Sequence, residues 1–137
     1  MSEKLLEKGR KGKAAGAGFY EYPQGGTKYL WPELTSMFSQ NGQYDQHEMI
    51  DRMLFVQALD TVRCLEEGVL RNVADANIGS IFGWGFSPFN GGTLQFINGY
   101  GLRKFIEKAK QLEAKYGARF SVPNLLKEKA EKGELFK

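Results

Sequence analysis

The chain has 137 residues, of which 42% are hydrophobic and 26% charged, with a formal net charge of +3. This length suits one domain with a core of its own, and no apolar run approaches the roughly 18 residues that span a bilayer. A single cysteine, Cys64, excludes an internal disulfide framework and a multi-cysteine zinc site. The expected setting is a reducing cytoplasm, because the basic start MSEKLLEKGRKGKAAG lacks the apolar stretch of a secretory signal.

In chain order, SEKLLEK over residues 2–8 reads as a short helix, with Ser2 as cap and Gly9 as stop. GRKGKAAGAGFYEYPQGG holds six glycines in eighteen residues and is expected to be an irregular connector. FYEYP within it has strand character that Pro23 cuts short. Pro32 favours a new helical turn, with Glu33 in its first turn. The main helix is expected to start at Asp45, which stands three residues before Glu48 as in a capping box. Ile50, Met53, Leu54, Ala58, Val62 and Leu65 recur at helical spacing and are expected to face the core, with Gln57 at the margin. Gly68 ends that helix after about 20 residues, roughly 30 Å.

A short helix is expected over residues 75–82, DANIGSIF, capped by Asp75 or a residue just before it. The Gly-rich stretch GWGFSPFNGG follows. GGTLQFINGYG reads as another short helix with Leu94 and Ile97 inward and Gly99 or Gly101 at its end. LRKFIEKAKQLEAKYG is amphipathic, with Leu102, Phe105, Ile106, Ala109, Leu112 and Tyr116 on one face and Gly117 as stop. SVPNLLKEKAEKG closes the chain, with Pro123 at its first turn. No strand alternation persists, so the fold class is all-α.

Few patterns carry chemistry. The dinucleotide fingerprint needs G-x-G-x-x-G between a strand and a helix. GWGFSP offers Gly83 and Gly85 but has Pro88 at the third position, and GAGFYE also lacks the third glycine. The P-loop pattern is absent. His47 is the only histidine and sits in the expected first turn of the main helix, so it reads as a surface residue. Cys64 reads as half-buried and structural. Glu66 and Glu67 are helix neighbours that point about 100° apart.

Residues 1–13 carry five bases and two acids, residues 14–102 four and nine, and residues 103–137 ten and five. Solvated helix faces account for these blocks, and the basic excess is below that of a nucleic-acid reader.

The aromatic cluster of Phe82, Trp84, Phe86, Phe89, Phe96 and Tyr100 suits core packing first and a partner surface second. GWGFSPFNGG then reads as a helix-to-helix corner. Gly83 and Gly85 permit close approach or positive φ, Pro88 stiffens the turn, and Gly91 and Gly92 open the next helix. Trp84, Phe86 and Phe89 pin the corner to the core or to a neighbour.

GRKGKAAGAGFYEYP resembles the G-R-x-G-x-x-x-G-x-G-F-Y-x-Y strip of the 3-hydroxyacyl-CoA dehydrogenases. DRMLFVQALDTVRCLEEGVLRNVADANIGSIFGWGFSPFNGGTLQFINGYG resembles the second copy of their helical C-terminal repeat. That copy occurs in multifunctional fatty-acid β-oxidation proteins that also carry an enoyl-CoA hydratase. The likeness runs from about Gly9 to about Gly101 and extends towards VPNLLKEKAEKGELFK. It implies a compact helical fold like that of the 6-phosphogluconate dehydrogenase C-terminal domain over residues 45–137. Residues 1–44 would be a Gly-rich connector and short helices from the end of the preceding repeat.

The resemblance further implies a two-part dehydrogenase. A Rossmann domain holds NAD and supplies a catalytic His with a Glu partner, and a helical domain closes over the acyl-CoA. This chain has neither that fingerprint nor that pair. In the family's first repeat an Asn just before an Arg on the long helix faces the substrate. The corresponding place here reads Asp51-Arg52, so no catalytic, cofactor-binding or metal role is carried over. The expectation is a structural, interdomain C-terminal piece of the parent enzyme, inactive alone and without cofactor, NAD belonging to the parent. Expected partners are the preceding repeat and the Rossmann domain, with a possible second copy when the piece is isolated, and neither nucleic acid nor a membrane span is expected. The alternative is a self-associating or partner-binding helical module. The second repeat is expected to pack on the first, which leaves an apolar face uncovered when it stands alone.

Overall fold

The structure is a computed structural model that describes residues 2–38 and 45–137. The chain divides into two units, Met1–Gln43 and Tyr44–Lys137. The expected boundary between residues 44 and 45 adjoins residues outside the described ones. No helix among the described residues is long and apolar enough to cross a membrane.

In the first unit, α1 (Ser2–Glu7) stops before Gly9, whose φ of 72° is left-handed. Ser2 is the first helical residue, and its side chain, the expected cap, lies outside what is described. The Gly-rich stretch is more regular than expected. It forms a 3-10 turn at Lys13–Ala15 and a two-stranded antiparallel sheet, β1 (Tyr20–Glu21) against β2 (Tyr29–Leu30), with Tyr20 opposite Leu30.

Arg10 is the reason. Its guanidinium donates to Gly18 O at 2.8 Å and pairs with Glu21 at 2.8 Å. The same group lies 4.1 Å from the Trp31 ring centroid, a cation–π contact. A β-carbon on Gly18 would fall 2.9 Å from Gly12 Cα, so the two backbones meet only as glycines. Pro32 and Glu33 then lead into the single turn α2 (Leu34–Met37).

The second unit is all helical. Its order is α3 (Gln46–Glu66), α4 (Val73–Trp84), α5 (Thr93–Tyr100), α6 (Leu102–Tyr116) and α7 (Asn124–Lys132), with 3-10 turns at Pro88–Asn90 and Ala118–Phe120. With only two-residue strands elsewhere among the described residues, the fold class is all-α.

Asp45 caps α3, accepting the His47 N–H. The capping box does not close, because the Glu48 carboxylate turns to Lys115 and Tyr116 instead. Gly68 follows the helix with φ 75°, the left-handed conformation glycine adopts freely.

The core-facing stripe of α3 is rotated from the expected one. Phe55, Ala58, Leu59 and Val62 are buried, whereas Ile50 and Met53 are exposed. Phe55 stacks on Phe105 of α6, with centroids 4.1 Å apart and planes within 3°. Phe96 and Tyr100 of α5 meet the same ring edge-on. On α6, Leu102, Phe105, Ala109 and Leu112 are buried, with Ile106 and Tyr116 half-buried. Leu94 and Ile97 of α5 are fully buried, as their spacing implies. Gly101 and Gly117 end α5 and α6.

Candidate functional site

The corner between α4 and α5 is built on borrowed polar groups. The cap of α4 is Asn72, three residues before Asp75. Its side-chain oxygen accepts Asp75 N–H at 2.8 Å, and its amide donates back to the Asp75 carboxylate at 2.7 Å. The first bond satisfies one backbone donor of the helix start, and the second, between the two side chains, holds the capping amide in place. α5 has no such device, since its N-cap is Gly92.

Buried groups of α4 supply the missing acceptors. Asn77 Oδ1 accepts Leu94 N–H at 3.0 Å and Gln95 N–H at 3.3 Å, and Ser80 Oγ accepts Thr93 N–H at 3.2 Å. Gly92 presses on the same asparagine, because a β-carbon there would lie 2.6 Å from Asn77 Cα. Thr93 Oγ1 is buried without a hydrogen-bond partner among the described residues.

The eight corner residues separate into distinct duties. Gly83 is an ordinary helical residue with open space around it, so it provides neither close approach nor positive φ. Gly85 caps α4 at φ 76°. Phe86 is buried and packs at 6.0 Å on Phe96, so it alone of the three rings reaches the core. Pro88 opens the 3-10 turn, Gly91 closes it at φ 71°, and Gly92 has φ 101°. Trp84 is 54% exposed and donates its indole N–H to Gln57 Oε1 at 2.9 Å. Phe89, at the tip, is 98% exposed.

An apolar groove of about 490 Å³ lies between α3 and α4. Thr61, Cys64, Val69, Ala76, Gly79 and Trp84 line it together with Asp60 and Asp75. A second hollow of about 350 Å³ lies beyond the Trp84–Gln57 bridge, against Ile50, Met53 and Phe86. The volume of the groove falls within the range of small-ligand or side-chain pockets.

The start of α3 is fastened to α6 by charge. Asp51 pairs with Lys108 at 3.0 Å, and the Arg52 guanidinium lies 4.0 Å from the Tyr116 ring centroid. Glu48 accepts from Lys115 at 2.8 Å and from the Tyr116 hydroxyl. Those two donors hold the Glu48 carboxyl below its ordinary value. The bond to Asp51 raises Lys108, and the bond to Glu48 raises Lys115. Asp51 and Arg52, the pair at the family's Asn-Arg place, are thus engaged in packing α3 on α6.

His47 is exposed in the first turn of α3, and Cys64 is half-buried on the groove wall. Among the described residues, no group of three or more His, Cys, Asp or Glu side chains is placed to hold a metal ion. Sequence reasoning missed Asn77, Ser80 and Thr93. The available signal was Asn77 and Ser80, polar residues three apart in the otherwise apolar stretch Ala76–Trp84 of α4.

No protein-family model matches the chain. The chain is 34% identical over 134 residues to the fatty acid oxidation complex subunit alpha of Vibrio vulnificus (strain CMCP6), across 96% of its own length and 19% of that protein. It is 33% identical over the same span and shares to the corresponding subunit of Vibrio parahaemolyticus serotype O3:K6 (strain RIMD 2210633). The chain therefore spans about a fifth of the length of the relatives it matches. With nearly all of its length aligned to a part of these larger proteins, the chain is a relative of the fatty acid oxidation complex alpha subunits.

Proposed function

We propose that this chain is the helical C-terminal piece of a fatty-acid β-oxidation multifunctional protein and has a structural, interdomain role there. In this reading it supports an NAD-dependent 3-hydroxyacyl-CoA dehydrogenase site without contributing catalytic groups to it. NAD, acyl-CoA and the hydratase chemistry belong to the rest of that protein, in a cytoplasmic setting. The observation that carries the reading is the engagement of Asp51 with Lys108 and of Arg52 with Tyr116. Side chains paired in this way act in holding α3 on α6, which supports a structural role for them. The alignment to a fifth of the alpha subunits supports that parentage.

The test is a pair of assays. The chain alone, given NAD and a 3-hydroxyacyl-CoA, is expected to form no NADH. An alpha subunit lacking this segment is expected to gain dehydrogenase activity or thermal stability when the chain is added in trans. Turnover by the chain alone would overturn the reading, and so would an alpha subunit indifferent to the missing segment.

A further inference from the structure

The groove between α3 and α4 holds an unbalanced set of polar groups. Its lining includes the carboxylates of Asp60 and Asp75 and no lysine, arginine or histidine. Its strong side-chain donors are already spent. The Gln57 amide donates to Met53 O at 2.8 Å, the Thr61 hydroxyl donates to Gln57 O at 2.9 Å, and the Trp84 indole donates to Gln57 Oε1 at 2.9 Å. That leaves the Cys64 thiol, a weak donor.

The acceptors are the reverse case. Arg63 holds one oxygen of Asp60 at 3.3 Å, and the Asn72 amide holds one oxygen of Asp75 at 2.7 Å. The other oxygen of each carboxylate has no hydrogen-bond partner among the described residues. Each carboxylate is therefore fixed in place with an acceptor to spare. Arg63 offsets part of the Asp60 charge, whereas Asp75 is met by a neutral amide. The rest of the wall is apolar, from Val69, Leu70 and Ala76, and Trp84 adds the kind of ring that attracts a cation most strongly. A mostly apolar pocket with a few fixed polar groups is the usual make-up of a small-molecule site.

We propose that this groove binds a small organic ammonium ion, an amine with an apolar body. The ammonium donates to the free oxygens of Asp60 and Asp75, and the body lies against Val69, Leu70, Ala76 and the Trp84 ring. An ammonium carries donors and no acceptor, which matches a lining with acceptors to spare and no strong donor. An anionic ligand would meet two like charges there. The site is formed within the chain itself, so it stands or falls separately from the enzyme assignment.

Phenethylammonium is the probe, with 2-phenylethanol and phenylacetate as its neutral and anionic counterparts. Each is titrated into the full chain and followed by NMR. The Trp84 indole signal and the amides of Ala76 and Gly79 are expected to shift, while the Trp31 indole stays in place. The ammonium should bind ~10-fold more tightly than the alcohol, through two exposed ion pairs and one cation–π contact, and phenylacetate should not bind. Asp60→Asn and Asp75→Asn each remove a charge and keep an oxygen for the existing hydrogen bond. Each should weaken the ammonium ~2–5-fold and leave the alcohol unchanged, with the melting temperature kept. Gly79→Leu places a side chain on the groove wall and should abolish binding of both compounds. Gly79 is helical with nothing within 4 Å of an added β-carbon, so the fold is expected to tolerate it. No shift at the groove with the ammonium, equal affinity for the three compounds, or an ammonium affinity indifferent to both aspartate variants would each overturn the proposal.

Discussion

The side-chain oxygen of Asn77 accepts the backbone N–H of Leu94 at 3.0 Å, so one helix receives its N-terminal cap from another. The same oxygen also takes Gln95 N–H. Replacing Asn77 with Ala would leave two N–H groups of α5 without an acceptor. An unsatisfied buried donor costs about 1–3 kcal/mol, so a loss of about 2–4 kcal/mol is expected in urea unfolding. Gly92→Ala should be comparable or worse. It adds the penalty of about 1–3 kcal/mol for a side chain in this extended positive-φ conformation to a contact of 2.6 Å with Asn77. Near-native stability of that variant would show that the two helices do not meet as closely as described.

Two glycines of one corner should respond with opposite signs. Gly83 is helical and unhindered, so Gly83→Ala should raise stability by about 0.5–1 kcal/mol. Gly85 holds φ 76°, and Gly85→Val should lower stability by about 1–2 kcal/mol. Pro88→Ala should lower it by about 0.4–1 kcal/mol, through greater freedom of the unfolded chain. Thermal melts of the three variants decide the matter, and equal shifts for Gly83→Ala and Gly85→Val would contradict the assignment.

Stability should depend on pH through the ties between α3 and α6. Glu48 has a lowered folded value. Its contribution is therefore complete above its unfolded value of about 4.3 and disappears as pH falls through the lower folded one. Lys108 and Lys115 have raised folded values. Their contributions are complete below about 10.4 and disappear as pH rises through the higher folded values. Glu48→Gln should thus be less stable than the unmodified chain at neutral pH, and the two should converge in acid. Unfolding free energies measured from pH 7 down to strong acid provide the check, and a gap that persists in acid would remove Glu48 from this role.

Glu66 and Glu67 are neighbours with unequal work. Glu66 accepts Leu125 N–H at 2.9 Å, at the start of α7, where the N-cap position is Pro123 and offers no side-chain acceptor. Glu66→Ala should cost about 1 kcal/mol, the usual value of a lost cap. Glu67→Ala should stay within about 0.5 kcal/mol. Equal effects in chemical denaturation would count against the cap.

How far the sequence could be read depended on where each signal resided. α6 was legible because its apolar and charged residues alternate at strict helical spacing, and Phe105, Ala109 and Leu112 are buried as that spacing implies. The face of α3 was not. The segment MLFVQAL, residues 53–59, is apolar at six of seven positions, so two stripes can be drawn through it. The stripe through Phe55, Ala58, Leu59 and Val62 wins because Phe105, Phe96 and Tyr100 stand on that side. Of the three corner rings, spacing could not tell buried Phe86 from exposed Trp84 and Phe89, since a tight turn has no period. The Asn77–Ser80–Thr93 arrangement depends on contacts 13 to 18 residues apart, which local pattern does not encode.

α5 and α7 share one property. Neither start offers a capping side chain of its own, and each start is completed by an earlier helix, α4 in one case and α3 in the other. Their eight and nine residues are too few to persist as isolated helices in water. They can form only once α3 and α4 are present to receive them. Folding of residues 45–137 should therefore be sequential in origin and indivisible in outcome. Amide protons at the starts of α5 and α7 should exchange no slower than those of the helices that hold them.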